Sequence, residues 1–102
     1  MKFRPLGIAK EIIQAAGMQV TYTYDDLVFI EHSPILVQFD DKNKKNLKVY
    51  FNVDSEKAAA EKIEEKLNDA ATEREFTITN IGEFEIVQKK GAEEIEIRLL
   101  PF

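Results

Sequence analysis

The stretch "ILVQFDDKNKKNLKVYFNV", residues 35–53, decides the fold. Both of its ends are apolar at alternate positions, and its middle, "DDKNKKN" at 40–46, is polar throughout. Alternation with a period of two marks a half-buried strand, and a solvated run between two such strands marks a hairpin loop. In a hairpin, loop length fixes which residues sit opposite one another. Pairing Phe39 with Leu47 sets Val37 opposite Val49 and Ile35 opposite Phe51, all on one face. Leu36 then meets Tyr50 on the other.

Working outward, the flanking sequence supplies the rest of a single domain. Before the hairpin, "MQVTYTY" (18–24) alternates strictly and "LVFI" (27–30) is apolar throughout, with Asp25-Asp26 between them as a two-residue turn. Earlier still, Leu6, Ile8, Ala9, Ile12, Ile13 and Ala16 fall within an arc of roughly 160° on a helical wheel. Pro5 suits the first helical position and Gly17 the left-handed C-terminal cap. After the hairpin, Asp54 or Ser55 caps a second helix running to about Ala71. Its apolar arc is narrow and rich in alanine: Ala59, Ala60, Ile63, Leu67, Ala70 and Ala71. The pairs Glu61/Glu65, Lys62/Lys66 and Glu65/Asp69 are like-charged at i,i+4, so this helix forms by docking on a sheet. Three more strands are expected at "FTITN" (76–80), "FEIVQ" (84–88) and "EIEIRLL" (94–100), with turns at Gly82 and "KKGA". The expected fold is α+β: two layers, a mostly antiparallel sheet with two helices on one face, in the order α-β-β-β-β-α-β-β-β.

Register then divides the sheet into two faces. Pairing Gln88 with Glu93 sets Ile86 opposite Ile95 and Phe84 opposite Ile97. These residues, with Val20, Phe29, Ile35, Val37, Phe39, Leu47, Val49, Phe51, Phe76 and Ile78, are the expected core beneath the helices. The last three strands show the opposite face Thr77, Thr79, Glu83, Glu85, Glu94, Glu96 and Arg98, a solvated surface. The earlier strands show it Val28, Ile30, Leu36 and Tyr50, and an antiparallel sheet with one wet face has no use for such residues unless something covers them. Either the apolar C-terminal "LLPF" folds over them, or they form a surface for a protein or peptide partner or for a second copy in a homodimer.

Composition closes several other routes. The chain has 102 residues, 44% of them hydrophobic and 32% charged, which is ordinary globular usage. For a mass of 11.7 kDa the folded surface should be about 5,900 Å². There are no cysteines, which removes disulfides, thiolate metal sites and thiol nucleophiles. No run approaches the about 20 apolar residues that span a bilayer, and "MKFRPLGIAKEIIQAAG" lacks a secretory apolar segment, so a membrane is not an expected partner and a cytoplasmic setting is. The net charge of −5 and a basic cluster limited to "KNKK" argue against nucleic acid.

The only histidine lies in "FIEHSPIL", residues 29–36, between Glu31 and Ser33. Neighbouring side chains of an extended chain point to opposite faces, so His32 and Ser33 do not readily form a dyad, and Pro34 favours a turn. The segment reads as a corner between strands. A small-molecule or metal-dependent activity around His32 and Glu31 is the alternative. "DKNKKN" from Asp41 lacks the glycine and glutamate of a calcium loop, and the four glycines form no phosphate-binding motif. No metal or other cofactor is expected, and no catalytic residue is assigned.

A helix ending "AAG", then "MQVTYTYDDLVFI", then "ILVQFDD…LKVYFNV", a second helix and closing strands form a layout that resembles the type III secretion chaperone-like superfamily. Within it, the bacterial sensory transduction regulator branch is nearest. The resemblance spans most of the chain as a pattern of elements and has no signature motif, so it carries over no individual residue. It implies a non-enzymatic α+β domain, often dimeric, that binds protein segments along helices and sheet surfaces. This chain closes on a strand where a helix is usual, which leaves the mode of dimerisation open.

Overall fold

A computed structural model describes residues 4–88 and 95–102, with the side chains of Gln88 and Ile95 outside the description. The hairpin at its centre pairs as the alternation requires. Strand β3 (Ile35–Phe39) meets β4 (Asn46–Asn52) with Phe39 opposite Leu47, Val37 opposite Val49 and Ile35 opposite Phe51. Its loop is held by Asp40, whose carboxylate accepts from the backbone N–H groups of Lys42 (2.9 Å) and Asn43 (3.3 Å). Ahead of it, β1 (Val20–Tyr24) and β2 (Leu27–Ile30) turn at Asp25, which takes the left-handed φ of 54° open to aspartate.

Helix α1 (Leu6–Ala15) buries Ala9, Ile12 and Ile13. It ends at Gly17, φ 88°, with the Gly17 N–H on Gln14 C=O and the Met18 N–H on Ile13 C=O. That is a Schellman closure, and glycine tolerates its φ without strain. Arg4, just ahead of the helix, reaches Asp41 with two nitrogens at 3.4 and 3.3 Å and Asp25 at 3.7 Å, tying the helix start to both loops at that end.

Helix α2 (Lys57–Glu73) lies between β4 and β5 (Thr77–Gln88), which pair in parallel, so the helix is a crossover on the sheet. It starts later than expected. Residues 52–55 form a turn closed by the Ser55 N–H on Asn52 C=O, and neither Asp54 nor Ser55 caps the helix. Leu67, Ala70 and Ala71 are buried, Ala60 and Ile63 partly so, and Ala59 is exposed. Its last turn closes like that of α1, but through Glu75 at φ 60°, with the Phe76 N–H on Ala71 C=O. A left-handed glutamate costs backbone energy that glycine avoids. Glu75→Gly should therefore raise stability by about 0.5–1 kcal/mol, read as a higher urea midpoint at unchanged slope. An unchanged or lower midpoint would mean the cap is not strained.

Strand β6 (Ile95–Pro101) completes a mixed, mostly antiparallel six-stranded sheet in the order β1-β2-β3-β4-β5-β6. The α+β class and the sequence of elements are as expected, with the segments 76–80 and 84–88 running on as one strand through Gly82. The expected turn at 89–92, with Glu93 and Glu94, lies outside the described residues. No described helix is long and apolar enough to cross a membrane.

The division into faces needs correcting, and three local events account for it. First, β2 pairs with β3 so that Val28 faces Val37 and Phe29 faces Leu36. Val28 and Ile30 therefore point to the helices and are buried there, and Phe29 lies on the reverse. A strand apolar on both sides carries no parity of its own, so its neighbour sets it. Second, β1 bulges between Val20 and Tyr22, which leaves Val20 on the helix side and turns Tyr22 and Tyr24 to the reverse. Third, β5 bulges at Ile81: Val49 meets Asn80, but Tyr50 meets Gly82. One extra residue exchanges the faces of everything beyond it. Phe76 and Ile78 stay under the helices, whereas Phe84 and Ile86 move to the reverse, and Glu83 and Glu85 come to the helix side with Glu96 and Arg98. Strand β6 is also two residues away from its expected register, with Ile97 opposite Ile86 and Leu99 opposite Phe84. A shift of two preserves faces.

Candidate functional site

The reverse face can be built row by row from the strand registers. Tyr22, Phe29, Leu36 and Tyr50 stand opposite one another across β1 to β4, continued by Gly82 and Pro101. Beyond this row Phe84 meets Leu99 and Ile86 meets Ile97. The result is an apolar band running obliquely from β1 to β6. Its middle is a second small core: Leu36 (1% exposed), Tyr50 and Phe84 (2%), packed by Leu27, Phe29, Ile81 and Ile97. Tyr22 and Phe29 place their rings 5.4 Å apart, a tilted contact. The ends of the band stay open, with Tyr22 at 56% and Tyr24 at 64% on β1, and Ile86 and Leu99 on β5 and β6.

Of the four residues expected to form a partner surface, Leu36 and Tyr50 lie on this face but form its floor. Val28 and Ile30 lie beneath the helices and cannot touch a partner on this face. The exposed groups are Tyr22, Tyr24, Ile86 and Leu99. Strict alternation in "MQVTYTY" placed Tyr22 and Tyr24 with Val20, so no local signal separated them. The C-terminal "LLPF" does not cover the band: it extends β6 beside β5, and the Phe102 N–H donates to Ile81 C=O at 2.8 Å.

Polar groups on this side are mostly satisfied among themselves. The Tyr50 hydroxyl donates to Gln38 Oε1 at 2.9 Å, and Gln38 Nε2 donates to Asp26 Oδ2 at 2.8 Å. Burial, and then the charge of Asp26, push Tyr50 ionisation above the usual phenol range. In the next rows Thr77 and Thr79 donate to Asn46 Oδ1 at 2.8 and 2.9 Å, and Asn46 Nδ2 donates to Asp40 Oδ2 at 3.1 Å. The Asn46 hydrogen bond, with the Lys42 N–H after it, holds the Asp40 carboxyl below its ordinary range. Among the described strand side chains on this face, Lys48 alone is charged. Such a surface offers shape, apolar area and aromatic edges.

His32 sits at the corner between β2 and β3. Its φ of 65° and that of Ser33, 50°, are both left-handed, and the Ser33 N–H closes the turn on Ile30 C=O. The imidazole is 89% exposed, with Nε2 3.9 Å from Glu31 Oε1. No group of three or more potential metal ligands gathers among the described residues. On the helix side, a cleft of about 460 Å³ opens between α2 and β5, walled by Phe51, Ala60, Glu61, Glu64 and Glu83. It lies away from the His32 corner, and its amides Asn52 and Asn80 are engaged with neighbouring backbone. Compared with known proteins, the chain matches no family model, no curated protein and no solved structure.

Proposed function

We propose that this chain is a non-enzymatic protein-interaction domain of chaperone-like or regulatory type, acting in the cytoplasm and holding a protein segment or a second copy against the reverse face of its sheet. One observation carries this reading. A chain with 32% charged residues keeps the strand positions of one entire sheet face, as far as they are described, free of charge except at Lys48. Its acidic strand residues Glu83, Glu85 and Glu96 are turned to the other side. Exposed contiguous apolar area of this kind marks binding surfaces, whose centres are depleted in charge and enriched in tyrosine. The layout's resemblance to the type III secretion chaperone-like superfamily points the same way.

An array of short peptides of varied composition tests the reading. Uncharged peptides rich in aliphatic and aromatic residues should retain the protein, and acidic ones should not. Tyr24→Glu combined with Leu99→Glu should lose that retention while melting close to wild type, because both side chains are already substantially exposed. Indifference to peptide composition, or undiminished binding by the double variant, would contradict it.

A further inference from the structure

We infer that the cleft between α2 and β5 is a binding site for a small organic cation with an apolar body, an aryl- or alkylammonium. The site lies on the helix side of the sheet and does not depend on what the reverse face holds. Three observations carry it: an out-of-place side chain, an unbalanced charge and a matching volume.

The side chain is Glu64. On the helical wheel Ala60, Glu64, Leu67 and Ala71 fall within about 60° of one another. Leu67 and Ala71 are buried and Ala60 is half-buried, so this line faces the sheet. Glu64 holds a half-buried position on it, where a leucine would continue the contact. The helix is seated through its second half, and its first half leaves the cleft between itself, Phe51 and β5. A carboxylate at a docking position loses solvation and closes no void. A residue set against its own fold in this way marks a functional position.

The charge comes from both walls. Three carboxylates, Glu61 and Glu64 on α2 and Glu83 on β5, face one ammonium, Lys57, which leaves the lining at −2. None of the three makes an ion pair among the described residues. On the sheet, Glu83 stands between Phe51 of β4 and Leu100 of β6. Arg98, beside Glu85, pairs instead with Glu96 at 3.8 Å. Such a lining repels anions and favours a cation.

The volume, about 460 Å³, lies within the range of small-ligand sites, about 300–1,000 Å³. A cavity of about 150 Å³ admits benzene, so this cleft has room for a ring and a short chain. The carboxylates do not gather closely enough to hold a metal ion. The lining also includes Phe51, which is buried, and Phe102, which is 91% exposed. Aromatic rings attract hydrocarbon and organic cations alike.

Three compounds of one shape test this by amide NMR titration: protonated phenylbutylamine, phenylbutanol and phenylbutyrate. The ammonium should bind, the alcohol about tenfold more weakly, and the carboxylate not at all. Shifts should fall on Ala60, Glu64, Gly82 and Glu83, and not on Tyr22 or Leu99. Glu64→Gln should weaken the ammonium about tenfold and leave the alcohol unchanged. Glu64→Leu should abolish ammonium binding and raise the urea midpoint, because the leucine fills the cleft and extends the docking stripe. Equal binding of all three compounds, no binding of the ammonium at millimolar concentration, or shifts confined to the reverse face overturns the site and leaves the interaction reading standing. A lowered midpoint for Glu64→Leu would give Glu64 a structural task and overturn it as well.

Discussion

Phe84→Ala should cost about 3–5 kcal/mol, the full penalty of an aromatic cavity in a core, although Phe84 lies on the sheet face that no helix covers. The reason is its surroundings. Phe84 is 2% exposed, and with Leu36 and Tyr50 it forms the centre against which Phe29, Leu27, Ile81 and Ile97 pack. Removing the ring opens a void that strands on both sides cannot close, and it lets water reach Leu36 and the Tyr50–Gln38 hydrogen bond. Against a typical total of about 5–15 kcal/mol, such a loss is a large fraction of stability. Urea unfolding would show it as a midpoint displaced at nearly constant slope. Tyr24, also aromatic and on the same face, is 64% exposed, and truncating it should change little. A cost for Phe84→Ala as small as that for Tyr24→Ala would mean that the reverse cluster is a surface and not a core.

How far this arrangement could be read from residues alone depends on where the parity of each strand is written. In β3 and β4 it is written in the residues themselves. Ile35, Val37 and Phe39 alternate with Gln38, Leu47, Val49 and Phe51 alternate with Lys48, and the polar loop pins them together. Helix α1 is equally plain, with Ala9, Ile12, Ile13 and Ala16 on one side and Gly17 closing the end. In β2 it is not written at all: "LVFI" would suit either side, and only the pairing of Phe29 with Leu36 settles it. In β1 and β5 a bulge interrupts the alternation after it has begun. Nothing in "VTYTY" signals the extra residue at Thr21, and both sides of the Ile81 bulge alternate well enough to be read as one continuous pattern or as two strands.

The candidate surface inherits those difficulties. A charge-poor reverse face was legible from Leu36 and Tyr50, because their register is set by the central hairpin. Its exposed part was not, because Tyr22, Tyr24, Ile86 and Leu99 reach that face only through the bulges and the docking of β6. The same bulge that hides the site from sequence also builds it. By carrying Phe84 across the sheet it supplies the ring that shields Leu36, and it leaves Ile86 and Leu99 beyond that ring as an open edge.

Gly82→Ala should therefore do more harm than its one methyl group suggests. Gly82 follows the bulged Ile81, has φ 153°, and sits opposite Pro101 in the pairing with β6. A Cβ there would collide with the Leu100 carbonyl oxygen and lie 2.7 Å from Pro101 Cα, both of them backbone atoms that cannot rotate aside. Relief would require β6 to move off β5, with loss of the Phe102 N–H bond to Ile81 C=O and of the cover that Ile97 gives to Phe84. Overpacking and an unfavourable φ add, so the expected loss is about 3 kcal/mol or more. The damage should also be local at first. Hydrogen exchange should speed up at Glu83, Leu100 and Phe102 well before the amides of β3 and β4, whose pairing does not depend on β6. If the variant stayed within about 1 kcal/mol of wild type with β6 still protected, the close approach of β6 to Gly82 could not be what holds the bulge, and the account of how Phe84 reaches the reverse face would lose its cause.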